Sequence, residues 1–386
     1  MEKKRILIFN DCFYMGGTEI LLVNLLNHLT EKECQITLLL PNPSEKNTLL
    51  NRVSPKVPIK YIFPKELTGL KKLIFKNILI FYPRLYALLV GFKGNDYDEI
   101  VCFKDGFYSI LFSKLKLPKY LWIQNHPFER DYTSHNLKEW LSYTLNKFQI
   151  NRMNHSFDKY DEVICVSDSS KRNYIKLYHE GKQKRNIRVL YNALDLSSIA
   201  LRAEEPIELK LSQGVNFITV IRLSYEKTVD RIILAAERLR AEGYNFNCLI
   251  LGDGGEFDKL QSLILEHKLN DKIQMLGRVS NPFPYMKRCD WFLCPSSRES
   301  FALTLIESTA LGTPVITTEC GGPEDVIERG TYGILTENSA EGVYCGMKKV
   351  LDDPSLLPYF VSKTNECMKR FDYKKWLNEV DQILRV

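Results

Sequence analysis

The chain has 386 residues, of which 45% are hydrophobic and 26% are charged, and its formal net charge is +6. This length and balance predict an ordinary soluble protein with two domains, each large enough to bury its own core. The ten cysteines form no Cys-x-x-Cys pair and no cluster with histidine, which excludes the usual disulfide and zinc patterns and predicts reduced thiols in a cytosolic protein.

Two apolar stretches bear on export and membrane insertion. The first, Ile6–Phe9, holds only four apolar residues and is too short for a signal peptide. The second, Leu73–Phe92, is interrupted by Lys76, Pro83 and Arg84, so it cannot span a bilayer as one helix. We therefore expect a cytoplasmic protein that is not integral to the membrane.

The first half of the chain alternates between strand and helix patterns. A strand is predicted at Ile6–Phe9, a helix at Thr18–Leu29 and a second strand at Gln35–Leu40. This alternation predicts a parallel sheet. Between the first strand and helix, Gly16 and Gly17 allow a backbone to approach a ligand and Thr18 is predicted to cap the helix, although a plain tight turn explains the glycine pair about as well.

The segment from Arg52 to Lys93 carries a net charge of +8, whereas the rest of the chain carries −2. It holds nine Lys or Arg residues and one acid, Glu66, interleaved with aliphatic and aromatic side chains. This composition predicts peripheral binding to an anionic membrane surface on the cytoplasmic side. A nucleic-acid groove would lack this weight of aliphatic residues, so we expect no nucleic-acid partner; a solvated face over an ordinary core helix remains the alternative.

Polar residues near two further strands are candidates for a site. Asp96 and Asp98 flank one residue, as in some metal-nucleotide sites, but they precede a strand and are interpreted as a turn. The strand Tyr120–Ile123 leads directly into a loop that contains His126, at the edge where open α/β sheets place ligands. The alternative for His126 is a loop histidine or helix cap.

The boundary between the two domains is predicted from composition. Polar and acidic residues cluster between Ala200 and Glu208. We expect a first domain at residues 1–195, a second at 196–371 and a C-terminal helix at 372–386 that packs back on the first.

The second half opens with a strand whose end is basic. Asn216–Val220 leads to Arg222 and Lys227, and common solvated residues are the alternative for this pair. The later glycine turn at Gly252–Gly255 lacks the spacing of a dinucleotide fingerprint. The turn at Gly277 and Arg278 follows another strand-like stretch.

The most informative stretch runs from Ser296 to Glu307, between two apolar strand-like runs. A helix that begins near Ala302 leaves its first N–H groups unpaired, which makes a phosphate site. Glu299, just before that helix, can accept hydrogen bonds from sugar hydroxyls, and Glu307, within its first two turns, can hold both hydroxyls of a ribose. A surface helix with solvated acids is the alternative interpretation.

Taken together, these motifs resemble the retaining glycosyltransferases of family 4. Glu299 and Glu307 match the family's E-x7-E region, and the stretch from Arg222 to Lys227 is similar to its Gly-Arg-Leu-x-x-Glu-Lys-Gly element. Glycines of the family pattern are replaced by Ile221, Thr228 and, in the Asn-Gly-Val-Asp junction, Ala193, which leaves the local backbone shape open.

The resemblance implies a fold and a set of roles. The fold is α/β, with two Rossmann-like doubly wound domains facing across a cleft (GT-B), and no metal or other cofactor is needed. Arg222 and Lys227 would bind the donor diphosphate, His126 and Glu299 would contact the donor sugar, and Gly277 and Arg278 would lie near the nucleobase. The remaining implied donor-site residues are Ser300, Phe301, Ala302, Leu303 and Glu307, with Gly16 and Gly17 on the acceptor side.

The implied activity is transfer of a hexose or N-acetylhexosamine from a nucleoside-diphosphate sugar, UDP rather than GDP, to a glycan or lipid-linked acceptor with retention of configuration. This would suit the synthesis of a bacterial polysaccharide, lipopolysaccharide or capsule. Two alternatives stay open: a GT-B-like sugar-nucleotide epimerase and a noncatalytic sugar-nucleotide-binding protein.

Overall fold

The structure is a computed structural model that describes residues 3–14, 16–125, 137–178, 186–209 and 213–386. The chain divides into two compact units. The first unit comprises Met1–Leu190 and Leu377–Val386, and the second comprises Tyr191–Trp376. The division therefore falls five residues before the predicted boundary, and the C-terminal segment that groups with the first unit begins at Leu377 rather than at residue 372.

The described part of the first unit contains strands that alternate with helices, in the order that its apolar runs predict. The strands are β1 (Lys4–Phe9), β2 (Cys34–Leu40), β3 (Ile59–Tyr61), β4 (Glu99–Cys102), β5 (Lys119–Ile123), β6 (Glu162–Cys165) and β7 (Ile187–Val189). The helices are α1 (Gly17–Leu29), α2 (Gly69–Phe81), α3 (Pro83–Leu89), α4 (Ser109–Phe112), α5 (Leu137–Phe157) and α6 (Asp168–Tyr178).

The second unit repeats the same plan. Its described strands are β8 (Val215–Val220), β9 (Phe246–Leu251), β10 (Ile273–Gly277), β11 (Trp291–Cys294), β12 (Val315–Thr318) and β13 (Gly333–Thr336). Its helices are α7 (Leu196–Arg202), α8 (Asp230–Ala241), α9 (Phe257–Glu266), α10 (Phe283–Lys287), α11 (Leu303–Ala310), α12 (Gly322–Val326), α13 (Ala340–Asp352) and α14 (Leu356–Met368). The last helix, α15 (Tyr373–Leu384), begins in the second unit and ends in the first.

Each sheet is parallel and doubly wound. The strand order among the described residues is β3-β2-β1-β4-β5-β6-β7 in the first unit and β10-β9-β8-β11-β12-β13 in the second. In such a sheet the winding direction reverses at one point, and ligands bind outside the carboxyl ends of the strands there. The reversal lies between β1 and β4 in the first sheet and between β8 and β11 in the second.

Two local predictions differ from the structure. Thr18 does not cap α1: the helix already includes Gly17, and Gly16 is its N-cap residue. The polar stretch that begins at Ala200 is not a plain linker, because its first residues complete α7. Asp195 starts that helix by accepting hydrogen bonds from the Ser197 and Ser198 amides, so a strong N-cap outweighs the polar composition that follows.

The last residues of the chain are tied to the first unit by charge and by burial. The buried carboxylate of Asp381 lies 2.9 Å from His28 Nε2 and 2.7 Å from Lys32 Nζ. Val380, Ile383 and Leu384 are buried on the same part of α15. Within the described residues, no helix is both long and apolar enough to cross a membrane.

Candidate active site

The site in the second unit is built by the loops that follow β8 and β11, on the two sides of the switch point. Lys227 ends a single 3₁₀ turn, Tyr225–Lys227, after β8, and Glu299 follows β11. Their side chains form an ion pair and are largely buried, with 12% of Lys227 and 16% of Glu299 exposed. The structure therefore joins the two charges that the sequence assigned separately, to the donor diphosphate and to the donor sugar.

Arg222 stands apart from this pair. It lies directly after β8 with its side chain exposed, and its guanidinium makes no hydrogen bond or ion pair to any residue that the structure describes. Arg222 therefore has no direct ion-pair partner among the described residues, whereas Lys227 is paired with Glu299.

Ile221 and Thr228, in the loop after β8, replace two glycines of the family pattern, and the structure accommodates each replacement in a different way. Thr228 adopts the left-handed conformation that glycine favours, with φ +42°, and its Oγ1 donates to the Pro295 carbonyl at 2.7 Å. At Ile221, the backbone packs closely against Gly252, in the turn after β9. A Cβ on Gly252 would lie 1.8 Å from the Ile221 carbonyl oxygen, so the glycine is required there instead.

Residues Ser300 to Leu303 lead into α11, which starts at Leu303. Ala302 is the N-cap residue in a left-handed conformation, φ +63°, and its side chain does not cap the first amides of the helix. Phe301 is buried, and its ring packs 5.7 Å from that of Tyr191 and 5.9 Å from that of Phe371. Its side chain therefore anchors the loop within the unit, which leaves only its backbone for a ligand.

Glu307 lies on the second turn of α11, with its carboxylate unbonded to any described residue. Burial raises the pKa of this carboxyl to about 7, and the nearby Arg202 acts in the opposite direction without cancelling the effect. A half-buried carboxylate with no partner within the protein is poised for donors from a ligand, such as the two hydroxyls of a ribose.

The burial of Glu307 is expected to lower the stability of the protein while its carboxylate contributes to nucleotide binding, and a substitution tests both effects. Because its pKa of about 7 exceeds the ordinary 4.5, the folded chain retains this proton to higher pH than the unfolded chain. The free energy of unfolding therefore falls as pH rises from about 4.5 to 7. We expect Glu307→Gln to be more stable than the wild type at pH 8, by about 1–3 kcal/mol, and to bind nucleotide about 10-fold more weakly.

Thermal unfolding at pH 4 and pH 8, with and without nucleoside diphosphate, measures both effects. The matched control is Glu266→Gln, an exposed glutamate on α9. Equal stability gains in the two variants at pH 8 would contradict the assignment of the effect to burial of Glu307.

Gly277 and Arg278 lie at the end of β10, the edge strand of the second sheet. Gly277 has φ +65°, and its carbonyl accepts from the Gly252 amide at 2.8 Å, which links this turn to the glycine turn after β9. Arg278 is exposed. This turn lies at the same edge of the sheet as the Lys227–Glu299 pair. It is two strands away from β8, so it is not part of that pair's immediate surroundings.

The first unit has its own charged cluster at its switch point, which sequence reasoning missed. Lys104, after β4, lies 3.3 Å from both Asp11, after β1, and Glu19, on α1. The predicted loop at Gly16 and Gly17 is part of this cluster, since a Cβ on Gly16 would lie 2.4 Å from Glu19 Oε2. The cluster could have been predicted from the positions of Asp11 and Lys104, because both residues follow strands that meet at the switch point.

Comparison with known proteins bears on what these loops do. Residues 15–198 match the family model described as Glycosyltransferase Family 4, and residues 202–367 match the model described as Glycosyl transferases group 1. The two matches together take in almost the whole chain. The chain belongs to glycosyltransferase family 4. The two doubly wound units are those of the GT-B fold, as the sequence predicts.

Curated relatives of this family 4 glycosyltransferase include enzymes with different acceptors. A Campylobacter jejuni protein named N-acetylgalactosamine-N,N'-diacetylbacillosaminyl-diphospho-undecaprenol 4-alpha-N-acetylgalactosaminyltransferase is 27% identical over 346 residues, covering 89% of this chain and 84% of its own. The N-acetyl-alpha-D-glucosaminyl L-malate synthase of Bacillus anthracis is 29% identical over 193 residues, about half of either chain (48% and 49%).

Solved structures agree on the fold. Anabaena HepE in complex with UDP-glucose superposes with a TM-score of 0.72 at 19% identity over 99% of both chains. Sucrose-phosphate synthase from Thermosynechococcus elongatus gives 0.77 at 14% identity over 99% of this chain and 98% of that one.

The sequence analysis of this glycosyltransferase also named His126 and Asp98 as candidates. His126 lies outside the described residues; the loop that precedes it is held by Asp105, whose Oδ1 accepts from the Gln124 and Asn125 amides at 2.9 and 3.0 Å. Asp98 is engaged by Arg5, whose guanidinium nitrogen lies 2.9 Å from Oδ1. This ion pair gives Asp98 a role in linking β1 to the residue before β4, in line with its interpretation as a turn residue.

Proposed function

We propose that this glycosyltransferase moves a hexose or N-acetylhexosamine from a nucleoside-diphosphate sugar, UDP rather than GDP, to a lipid-linked glycan with retention of configuration. The observation that carries the proposal is the Lys227–Glu299 pair at the switch point of the second sheet, next to the N-terminus of α11. The name of the Campylobacter relative, which includes a diphospho-undecaprenol acceptor, and the UDP-glucose bound to HepE support the choice of acceptor and base.

The chain's own groups account for each demand of the reaction. Departure of a nucleoside diphosphate creates negative charge, which Arg222, Lys227 and the first amides of α11 would stabilise. Phosphate binding would draw Lys227 from Glu299 and free that carboxylate to accept from the hydroxyls of the donor sugar. Glu307 would hold the ribose. The acceptor hydroxyl would attack the anomeric carbon from the face that the diphosphate leaves, as the bond from that carbon to the diphosphate oxygen breaks, and its proton would pass to the departing phosphate oxygen.

A transfer assay with a panel of nucleotide sugars tests this proposal. In excess chelator, we expect free nucleoside diphosphate to be released only when an acceptor is present, because cationic side chains replace the metal. An epimerase would change the sugar while the nucleotide stays attached, and a binding protein would bind without turnover. If release of nucleoside diphosphate requires added Mg²⁺ or Mn²⁺, the proposal that the transfer needs no metal is wrong.

A lipid-linked acceptor requires the protein to reach a membrane, and one surface of the first unit suits that task. The α2–α3 patch comprises the exposed apolar residues Leu70, Leu73, Ile74, Tyr82, Leu85, Leu88 and Leu89. Leu70 is 71% exposed and Leu88 is 77% exposed, far more than an apolar core helix permits. Lys71, Lys72 and Arg84 are exposed on the same two helices.

The positive charge of the α2–α3 patch supports an anionic bilayer as its partner. Leucines beside lysines on short surface helices insert at the acyl boundary while the amines contact anionic headgroups. The helix α5 extends the patch, because exposed Phe148 stacks on Phe81 of α2 with ring centroids 5.8 Å apart. Lys76 contributes less than its sequence position suggests, since its amine lies over the Phe107 ring and burial lowers its pKa.

We expect the protein to cosediment with anionic vesicles and not with zwitterionic ones, and binding to fall with salt. Lys71→Glu/Lys72→Glu should weaken binding about 10²-fold or more, because each basic residue near the surface contributes about 1 kcal/mol. The control is Lys114→Glu/Lys116→Glu, which reverses the same charge on an exposed loop of the same unit. Equal binding of the two double variants, or self-association through the patch in place of vesicle binding, would contradict the membrane role.

A further inference from the structure

The loop that carries Glu299 is held by two residues outside every motif of the sequence. Arg231, the second residue of α8, donates from one guanidinium nitrogen to the Pro295 carbonyl at 3.1 Å and to Asn338 Oδ1 at 2.7 Å. Asn338, between β13 and α13, donates from Nδ2 to the carbonyls of Ser297 and Glu319, at 2.9 and 3.1 Å. One asparagine side chain therefore joins the loops after β11 and β12.

The orientation of the Asn338 amide is fixed by its surroundings. Its oxygen faces a guanidinium, which can only donate, and its nitrogen faces two carbonyls, which can only accept. A flipped amide would set an oxygen against two oxygens and an NH₂ group against a cation. The amide thus uses both its donors and its acceptor in a single arrangement.

The same loop is joined to the Lys227 side of the site. The amide and hydroxyl of Ser297 both donate to the carbonyl of Glu226, each at 2.9 Å, and Glu226 immediately precedes Lys227. On the far side, the Glu299 amide donates to the Cys320 carbonyl at 2.8 Å. Ser297 therefore lies between Asn338 and the residue next to Lys227, two positions before Glu299.

We propose that Asn338, braced by Arg231, is a positioning residue that sets the separation of Lys227 and Glu299 for the transfer reaction. The inference rests on the proposed function, because the geometry that it fixes is that of the proposed donor site. Catalytic groups must hold their places closely, and a displacement of about 1 Å can cost about 10²-fold in rate. Loosening Ser297 displaces both the Glu299 loop and its link to Glu226, without removing either charge.

The test compares Asn338→Ala and Asn338→Asp with a matched asparagine, Asn216. Asn216 also donates twice, to the Gly214 carbonyl and to Asp290 Oδ2, and accepts once, from Asn247, but it lies at the opposite, amino end of the sheet. We expect Asn338→Ala to lower kcat about 10–10²-fold with a small change in donor KM, and Asn216→Ala to keep kcat within about twofold. Asn338→Asp should be as slow as Asn338→Ala, since it keeps the contact with Arg231 and cannot donate to Ser297 and Glu319.

Amide hydrogen exchange provides a readout that does not depend on activity. The Ser297 and Glu299 amides should exchange faster in both Asn338 variants and at the wild-type rate in Asn216→Ala. An active wild type with equal kcat and equal exchange in the Asn338 and Asn216 variants would overturn the positioning role. A wild type that transfers no sugar would overturn the proposed function, and the exchange rates would then decide whether Asn338 holds the loop.

Discussion

Glu299→Gln is expected to lower kcat by about 10²–10³-fold while nucleoside diphosphate binds at least as tightly as to the wild type. The amide keeps the size of the side chain and removes the charge that meets the reacting sugar in the proposed site. It also removes the counter-ion of Lys227, since the two side chains are paired in the unliganded site. In Glu299→Gln, the Lys227 amine does not have to leave a carboxylate before it binds phosphate. The affinity for nucleoside diphosphate is therefore kept or increased while kcat falls.

Steady-state kinetics and calorimetric titration with UDP measure these two quantities separately. The control is Glu337→Gln, an exposed glutamate in the loop after β13, at the same edge of the sheet. If kcat falls by the same small factor in Glu299→Gln and Glu337→Gln, the Glu299 carboxylate does not take part in the reaction. A marked loss of UDP affinity in Glu299→Gln would show that the pair does not compete with phosphate.

Lys227→Ala is expected to weaken UDP binding about 10²-fold, more than Arg222→Ala, which should cost about 10-fold. In the proposed site, each variant loses one charge-assisted contact with phosphate. Only Lys227→Ala also leaves a largely buried carboxylate, Glu299, without its cation and close to the incoming diphosphate. The difference between the two variants is therefore the repulsion from an uncompensated Glu299.

A double-mutant cycle isolates that repulsion. Lys227→Ala/Glu299→Gln should recover UDP affinity to about the level of Arg222→Ala, and thermal unfolding should show all of these variants folded. A double variant that binds UDP as weakly as Lys227→Ala would contradict the pairing, because independent sites show no recovery.

The location of Lys227 and Glu299 could be predicted because both residues follow strands. Lys227 and Glu299 stand after apolar runs, and a parallel sheet gathers the carboxyl ends of its strands at one edge. Their mutual ion pair could not be predicted, because strand order decides which loops are neighbours, and β8 and β11 are separated in sequence by two other strands.

The supporting residues carry no comparable signal. Asn338 and Arg231 are 107 positions apart, and an arginine at a helix start or an asparagine before a helix is typical of many surfaces. The left-handed backbones of Ala302 and Thr228 were likewise hidden, since both conformations favour glycine and neither residue is one. Their cost is met by contacts that only the folded loops supply, such as the Thr228 bond to Pro295.

The attachment of Leu377–Val386 to the first unit sets an order of assembly during synthesis. A ribosome must add the 186 residues of the second unit, Tyr191–Trp376, before it delivers the ten that complete the first. At 5–20 residues per second this takes about 10–40 s, in which His28 and Lys32 lack Asp381. The first unit therefore cannot reach its final state before the second has been synthesised, and we expect a fragment that ends at Leu190 to be prone to aggregate.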